Sequence, residues 1–139
     1  MGLIQTGIVT EVREGELIPL PLKANAMVLV GTFALIDESG FATDSSSAIT
    51  AAQKVIGIWD GSADNSGGTD GDIISIARRK KQFLLRNSVN DPVTQADFGG
   101  VVYVEDNQTI SKTTGAGMPV AGKFMGFDSQ FTEYVWVEI

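Results

Sequence analysis

Neither cysteine nor histidine occurs among the 139 residues, which removes most of the side-chain chemistry a small protein can offer. Without thiolates there is no disulfide, no thiolate zinc site and no cysteine nucleophile. Without imidazole, the commonest general base at neutral pH and the commonest transition-metal ligand are both missing. Chemistry would have to come from carboxylates, hydroxyls, lysines and arginines, and a few stretches concentrate these. Asp60–Asp72 (DGSADNSGGTDGD) invites a calcium reading. Counted from Asp60, an EF-hand loop would need glycine where Asn65 stands and glutamate where Gly71 stands. Gly67-Gly68-Thr69-Asp70 likewise departs from the Gly-Gly-x-Gly-x-Asp repeat of calcium β-rolls. The stretch therefore reads as a flexible loop on solvent, kept soluble by aspartate, and whether it takes an ion is left open.

The second concentration is basic. Arg78, Arg79, Lys80 and Lys81 form an uninterrupted run in an otherwise acidic chain. Such a run is either a patch for an acidic partner surface or a solvated turn between two strands. No aromatic residues interleave with it as a base-stacking platform would require. Ser45-Ser46-Ser47 has neither a nucleophile elbow nor a base to activate it. Gly67-Gly68 and Gly115-Ala116-Gly117 lack the Gly-Lys-Ser/Thr ending of a phosphate loop. No catalytic residue, metal ligand or cofactor site is expected. Trp59, Tyr103, Tyr134 and Trp136 could line an apolar pocket, although aromatics in strands more often serve the core.

A third feature is apolar. Residues 1–6 are expected to form an N-terminal arm, with residues 7–139 as a single β domain. Leu3, Ile4 and Gln5 are the candidate contacts: either this end frays, or it adds a strand to a neighbouring chain.

The elements that would position these residues read as β throughout. Residues 7–12 are rich in β-branched side chains and predict a short strand. Pro19 and Pro21 cannot donate to a ladder, so residues 16–22 predict an edge or connecting segment. Residues 26–36 are apolar at nearly every position, which predicts one strand buried on both faces or two strands bent at Gly31. Asp37-Glu38-Ser39-Gly40 signals a turn, and residues 43–53 fit a short helix or a loop. Strands follow at 54–59, 73–77, 82–86 and 101–104, and again from Thr109 after an Asp106-Asn107 turn. Thr94 and Asp97 suggest a capping box stopped within a turn by Gly99-Gly100. Segments 118–127 and 132–139 close the chain. In the last, Tyr134, Trp136 and Glu138 alternate with Val135, Val137 and Ile139, a strand period. Short strands punctuated by turn residues predict an all-β fold: a single compact barrel or sandwich with at most one or two short helices.

Hydrophobic residues make up 43% of the chain, enough for a core. No apolar stretch reaches the roughly 18–20 residues of a membrane span. A net charge of −7 opposes binding to nucleic acid and anionic lipid, so neither nucleic acid nor membrane is expected as a partner.

The order of segments carries a resemblance. Val28-Leu29-Val30-Gly31 leads into Phe33-Ala34-Leu35-Ile36 and a Ser-Gly turn, and Val55-Ile56-Gly57-Ile58 follows. Val93-Thr94-Gln95-Ala96-Asp97-Phe98-Gly99 precedes Val101, Tyr103 and Val104 with an Asp-Asn turn. Val120-Ala121-Gly122-Lys123-Phe124-Met125-Gly126-Phe127 then precedes Val135-Trp136-Val137. Over roughly residues 24–139 this layout resembles the capsid decoration, or cement, proteins of tailed bacteriophages. The resemblance implies a virion protein made in the host cytoplasm and bound to the outer surface of an expanded head. It implies the major capsid (coat) protein as partner, a homo-oligomer with a trimer favoured, and no catalytic residues. Leu3, Ile4 and Gln5 would then meet a coat strand, and Arg78–Lys81 an acidic patch on the coat or a sister subunit. Two other readings share the composition: a tail or other virion β module forming rings or fibres, and a small-ligand-binding β-barrel.

Overall fold

In the computed structural model, which describes residues 2–139, eleven strands and one 3-10 turn account for all regular structure. The strands are β1 (Leu17–Pro21), β2 (Met27–Val28), β3 (Phe33–Ile36), β4 (Lys54–Trp59), β5 (Ala63–Asp64), β6 (Ile74–Arg78), β7 (Gln82–Asn87), β8 (Val101–Val104), β9 (Thr109–Ser111), β10 (Val120–Phe127) and β11 (Tyr134–Glu138). The fold is all-β, as the sequence predicts. Five strands close a barrel in the order β10-β11-β7-β9-β8, with β7 and β9 parallel and the other pairs antiparallel. A four-stranded antiparallel sheet, β1-β6-β4-β3, lies beside it, and β2 pairs with β5.

Two cores result, and β3 and β4 serve both. Phe33, Leu35 and Ile58 pack with Leu85, Val102, Ile110, Phe124, Val135 and Val137 inside the barrel. Ala34 and Trp59, the alternate residues on the same strands, pack with Leu20, Leu22, Val28 and Ala77 in a second core. Period-two alternation thus sends successive side chains to opposite apolar faces, which is why residues 26–36 show no polar face. The run does break at Gly31, whose φ of 85° few other residues adopt comfortably. Its two halves join different sheets.

Two expectations are corrected and one pair of alternatives is decided. Residues 7–12 form no strand: their β-branched side chains favour extended backbone, but no partner strand lies alongside, and Gly2–Glu14 are all exposed. The exposed N-terminal segment therefore runs well past the expected end of the arm at residue 6, and Met1 lies outside the described residues. Residues 43–53 take the loop alternative. Asp44 accepts the amides of Met27 (3.0 Å) and Ser46 (2.7 Å), and Ser45 Oγ accepts that of Leu29 (3.1 Å), tying this loop to β2. The 60–72 stretch is a built loop and not a flexible one. Asn65 is buried, its side-chain amide donates to the carbonyls of Lys23 and Thr69 at 3.0 Å each, and Asp70 accepts the amide of Ala24 at 2.8 Å.

At the predicted capping box, Asp97 Oδ2 accepts the Thr94 amide at 2.7 Å and the Asp97 amide donates to the Thr94 carbonyl at 2.9 Å, enclosing the 3-10 turn Gln95–Asp97.

Candidate assembly surfaces

The N-terminal arm is the most exposed apolar feature. Leu3 (91%), Ile4 (68%), Ile8 (68%), Val9 (90%) and Val12 (91%) all face solvent, and Gln5 beside them is exposed as well. These side chains find no cover on their own body.

The arm's root, by contrast, is fixed, and the basic run fixes it. Arg78 Nη1 lies 2.6 Å from Glu16 Oε1, and Lys81 Nζ lies 3.1 Å from the same oxygen. On its other side Arg78 Nε donates to Asp60 Oδ1 at 3.1 Å. The Arg79 amide donates to the Glu16 carbonyl at 2.8 Å. The Lys81 ammonium, with Arg78 beside it, holds the Glu16 carboxyl below its usual range, and Asp60 raises Arg78 in turn. Lys80 takes a left-handed conformation (φ 61°), its amide donates to the Ile139 carbonyl at 2.7 Å, and its ammonium lies against Gly15. Arg78 and Lys81 are therefore engaged within the chain, while Arg79 and Lys80 have no carboxylate partner among the described residues. Sequence reading separated the arm from the basic run; the structure places the run at the arm's base. The signal was Glu16, an acid at the head of β1, but its partners are more than sixty positions away.

The aspartates of the 60–72 loop serve the backbone. Asp64 accepts the Ser66 amide (2.8 Å), Asp72 accepts the Thr69 amide (2.9 Å), and Asp60 is turned to Arg78. The Ser66 hydroxyl and amide hold Asp64, and the Thr69 amide holds Asp72, below the ordinary carboxylate range. Among the described residues no three acidic groups converge on a point that would hold a metal ion.

The four aromatics do not meet in one pocket. Trp59 is buried in the second core, its indole N–H without a partner among the described residues. Tyr103 lies on β8, and Tyr134 and Trp136 lie on the outer side of β11, with Tyr134 edge-on to Phe131 at 6.3 Å. A polar depression opens beside Ser88, Glu105 and Glu133. Ser88 Oγ donates to Glu105 and accepts the Asp91 amide, so that hydroxyl is committed to its turn. An apolar groove runs between the start of β4, the first half of β10 and the C-terminal residue.

Among the described residues no helix is long and apolar enough to cross a membrane. Comparison with protein-family models, curated proteins and solved structures returned no match.

Proposed function

We propose that this protein is a non-enzymatic structural component that binds in many copies to a larger protein shell, as the capsid decoration proteins of tailed phages do. The observation that carries the reading is the arm: an extended segment with five exposed aliphatic side chains, held at its root by ion pairs. Burying an aliphatic side chain stabilises by about 1.5–3 kcal/mol, and ordering the chain costs about 1–2 kcal/mol per residue. Over the thirteen residues Gly2–Glu14 the ordering cost exceeds the gain from five such side chains, so a single arm does not hold by itself. Several arms carried by one oligomer bind well to a symmetric lattice, because each attachment raises the effective concentration of the next. The coat protein of an expanded head is the proposed partner, the tip Leu3, Ile4 and Gln5 the proposed contact, and the outer surface of the virion the proposed location. Arg79 and Lys80, the unpaired half of the basic run, remain for an acidic patch.

The test is co-sedimentation with expanded empty heads, with mass in solution measured by light scattering. The full chain is expected to co-sediment and protect the heads from heat, and a chain lacking residues 2–6 to lose both effects. Rings or fibres that ignore the heads would point to a tail component. A chain that ignores them in any form would remove the reading.

A further inference from the structure

The inner half of the arm and the apolar groove of the body have matching chemistry. The chain bends at Gln5–Thr6, before Gly7, which separates a tip from an inner stretch, Ile8–Glu14, leading into β1. This inner stretch carries Ile8, Val9 and Val12, together with Glu11, Arg13 and Glu14.

The groove is lined by Val55, Pro119, Val120 and Ile139 and continues past Gly122 to Val101. Its two half-exposed valines, Val101 (47%) and Val120 (52%), need cover as the arm does. Its floor is low because Gly122 has no side chain: a Cβ there would fall 2.2 Å from the Glu138 carbonyl oxygen. Lys54, Lys80 and Lys123 stand around it, with Glu138 as the acidic side chain. The side-chain cations outnumber the side-chain acids, opposite to the balance on the inner arm.

The arm's root lies at the rim of this same groove, since Lys80 both lines the groove and packs against Gly15. Yet none of the described arm residues lines the groove of its own chain. An arm that starts at the rim and leaves it unfilled is placed to pass to a neighbour.

We propose that Ile8–Glu14 of one copy lies in the Val55–Val120–Ile139 groove of a second copy, each copy giving one arm and receiving one. Such head-to-tail exchange closes a ring when the rotation between copies closes. The proposal rests on reading the arm as the assembly element, and it leaves the tip, Leu3–Gln5, free for the shell.

The absence of cysteine makes the test direct. Two single variants, Val9→Cys and Val120→Cys, are mixed under mild oxidation and run on a non-reducing gel, with Val12→Cys and Val101→Cys as a second pair in case register differs. A covalent dimer containing one chain of each variant is expected. Val9→Cys mixed with Val89→Cys, at an exposed position outside the groove, should give far less. Light scattering should show the same oligomer with and without residues 2–6, and a monomer without residues 2–14. A full chain that stays monomeric, a double variant that closes only within one chain, or equal cross-linking to position 89 would overturn the exchange. Copies that cross-link but ignore phage heads would leave the exchange standing and remove the capsid reading. Heads bound without cross-linking would do the reverse.

Discussion

Asp37 ends β3 and ties two segments together. Its carboxylate accepts a hydrogen bond from Lys23 Nζ at 2.7 Å and from the Ser39 amide at 2.9 Å. The Lys23 ammonium, helped by Ser39, holds it far below the ordinary carboxylate range. A depressed carboxyl contributes stability that is complete above its unfolded value of about 3.9 and is lost as the pH falls through the folded value. Asp37→Asn is therefore expected to lower Tm by a few degrees at neutral pH, and the gap to wild type to shrink steadily below about pH 4. A gap that stays constant into acid would show that the charge is not its source. Gly57 and Gly122 act by size. A Cβ on Gly57 would stand 2.3 Å from the Arg78 carbonyl oxygen, as close as Gly122 comes to Glu138. Backbone cannot swing aside as a long side chain can. Gly57→Ala and Gly122→Ala should each cost at least the ~1–3 kcal/mol typical of overpacking, measured by urea denaturation.

At the scale of elements, β1 shows how an open sheet is kept from pairing further. Glu16, Ile18, Leu20 and Leu22 face β6 along the antiparallel register, as the bonds Arg79 N–H to Glu16 O and Leu22 N–H to Ile73 O show. Pro19 falls on the outward side, where a further strand would need an amide donor, and at Pro21 that side is closed by Ala42, whose amide donates to the Pro21 carbonyl at 2.8 Å. Pro19→Thr is expected to leave stability within about 1 kcal/mol and to promote concentration-dependent association, seen by light scattering. That edge was legible in the sequence because proline's missing donor is a local property. The strands around Val55, Tyr103 and Trp136 were legible for the same reason: β-branched and aromatic runs end at Gly, Asn and Asp turns. What was not legible depended on distant partners. Residues 7–12 have a strand's composition and no neighbour, while Asn65 sits in a stretch that looks solvated and is buried by carbonyls from residues 22–23. Leu3, Ile4 and Gln5 could be read as an end without a nearby partner, but the length of the exposed segment and the pairing of Glu16 with Arg78 and Lys81 required the fold.

For the molecule as a whole, the question is whether two cores make two folding units. Phe33 and Leu35 belong to the barrel core and Ala34 to the second, on one short strand; Ile58 and Trp59 divide in the same way on β4. Neither core can open without removing alternate side chains of β3 and β4 from the other. The backbone joins the two parts as well, the Phe33 amide donating to the Asn107 carbonyl at 2.9 Å. A single cooperative transition follows, despite the separate hydrophobic clusters. Leu85→Ala in the barrel and Leu22→Ala in the second core should each cost ~2–5 kcal/mol. Both should shift one common transition, followed by Trp59 fluorescence in a Trp136→Phe background for the second core and by hydrogen exchange of barrel amides for the first. Two separated transitions, each moved by only one of the variants, would show that the shared strands fail to couple the cores. Removing residues 2–14 should leave that transition almost unmoved, because the arm's apolar side chains pack on nothing within the chain. That outcome would place the stability in the body and leave the exposed segment to the proposed contacts with other chains.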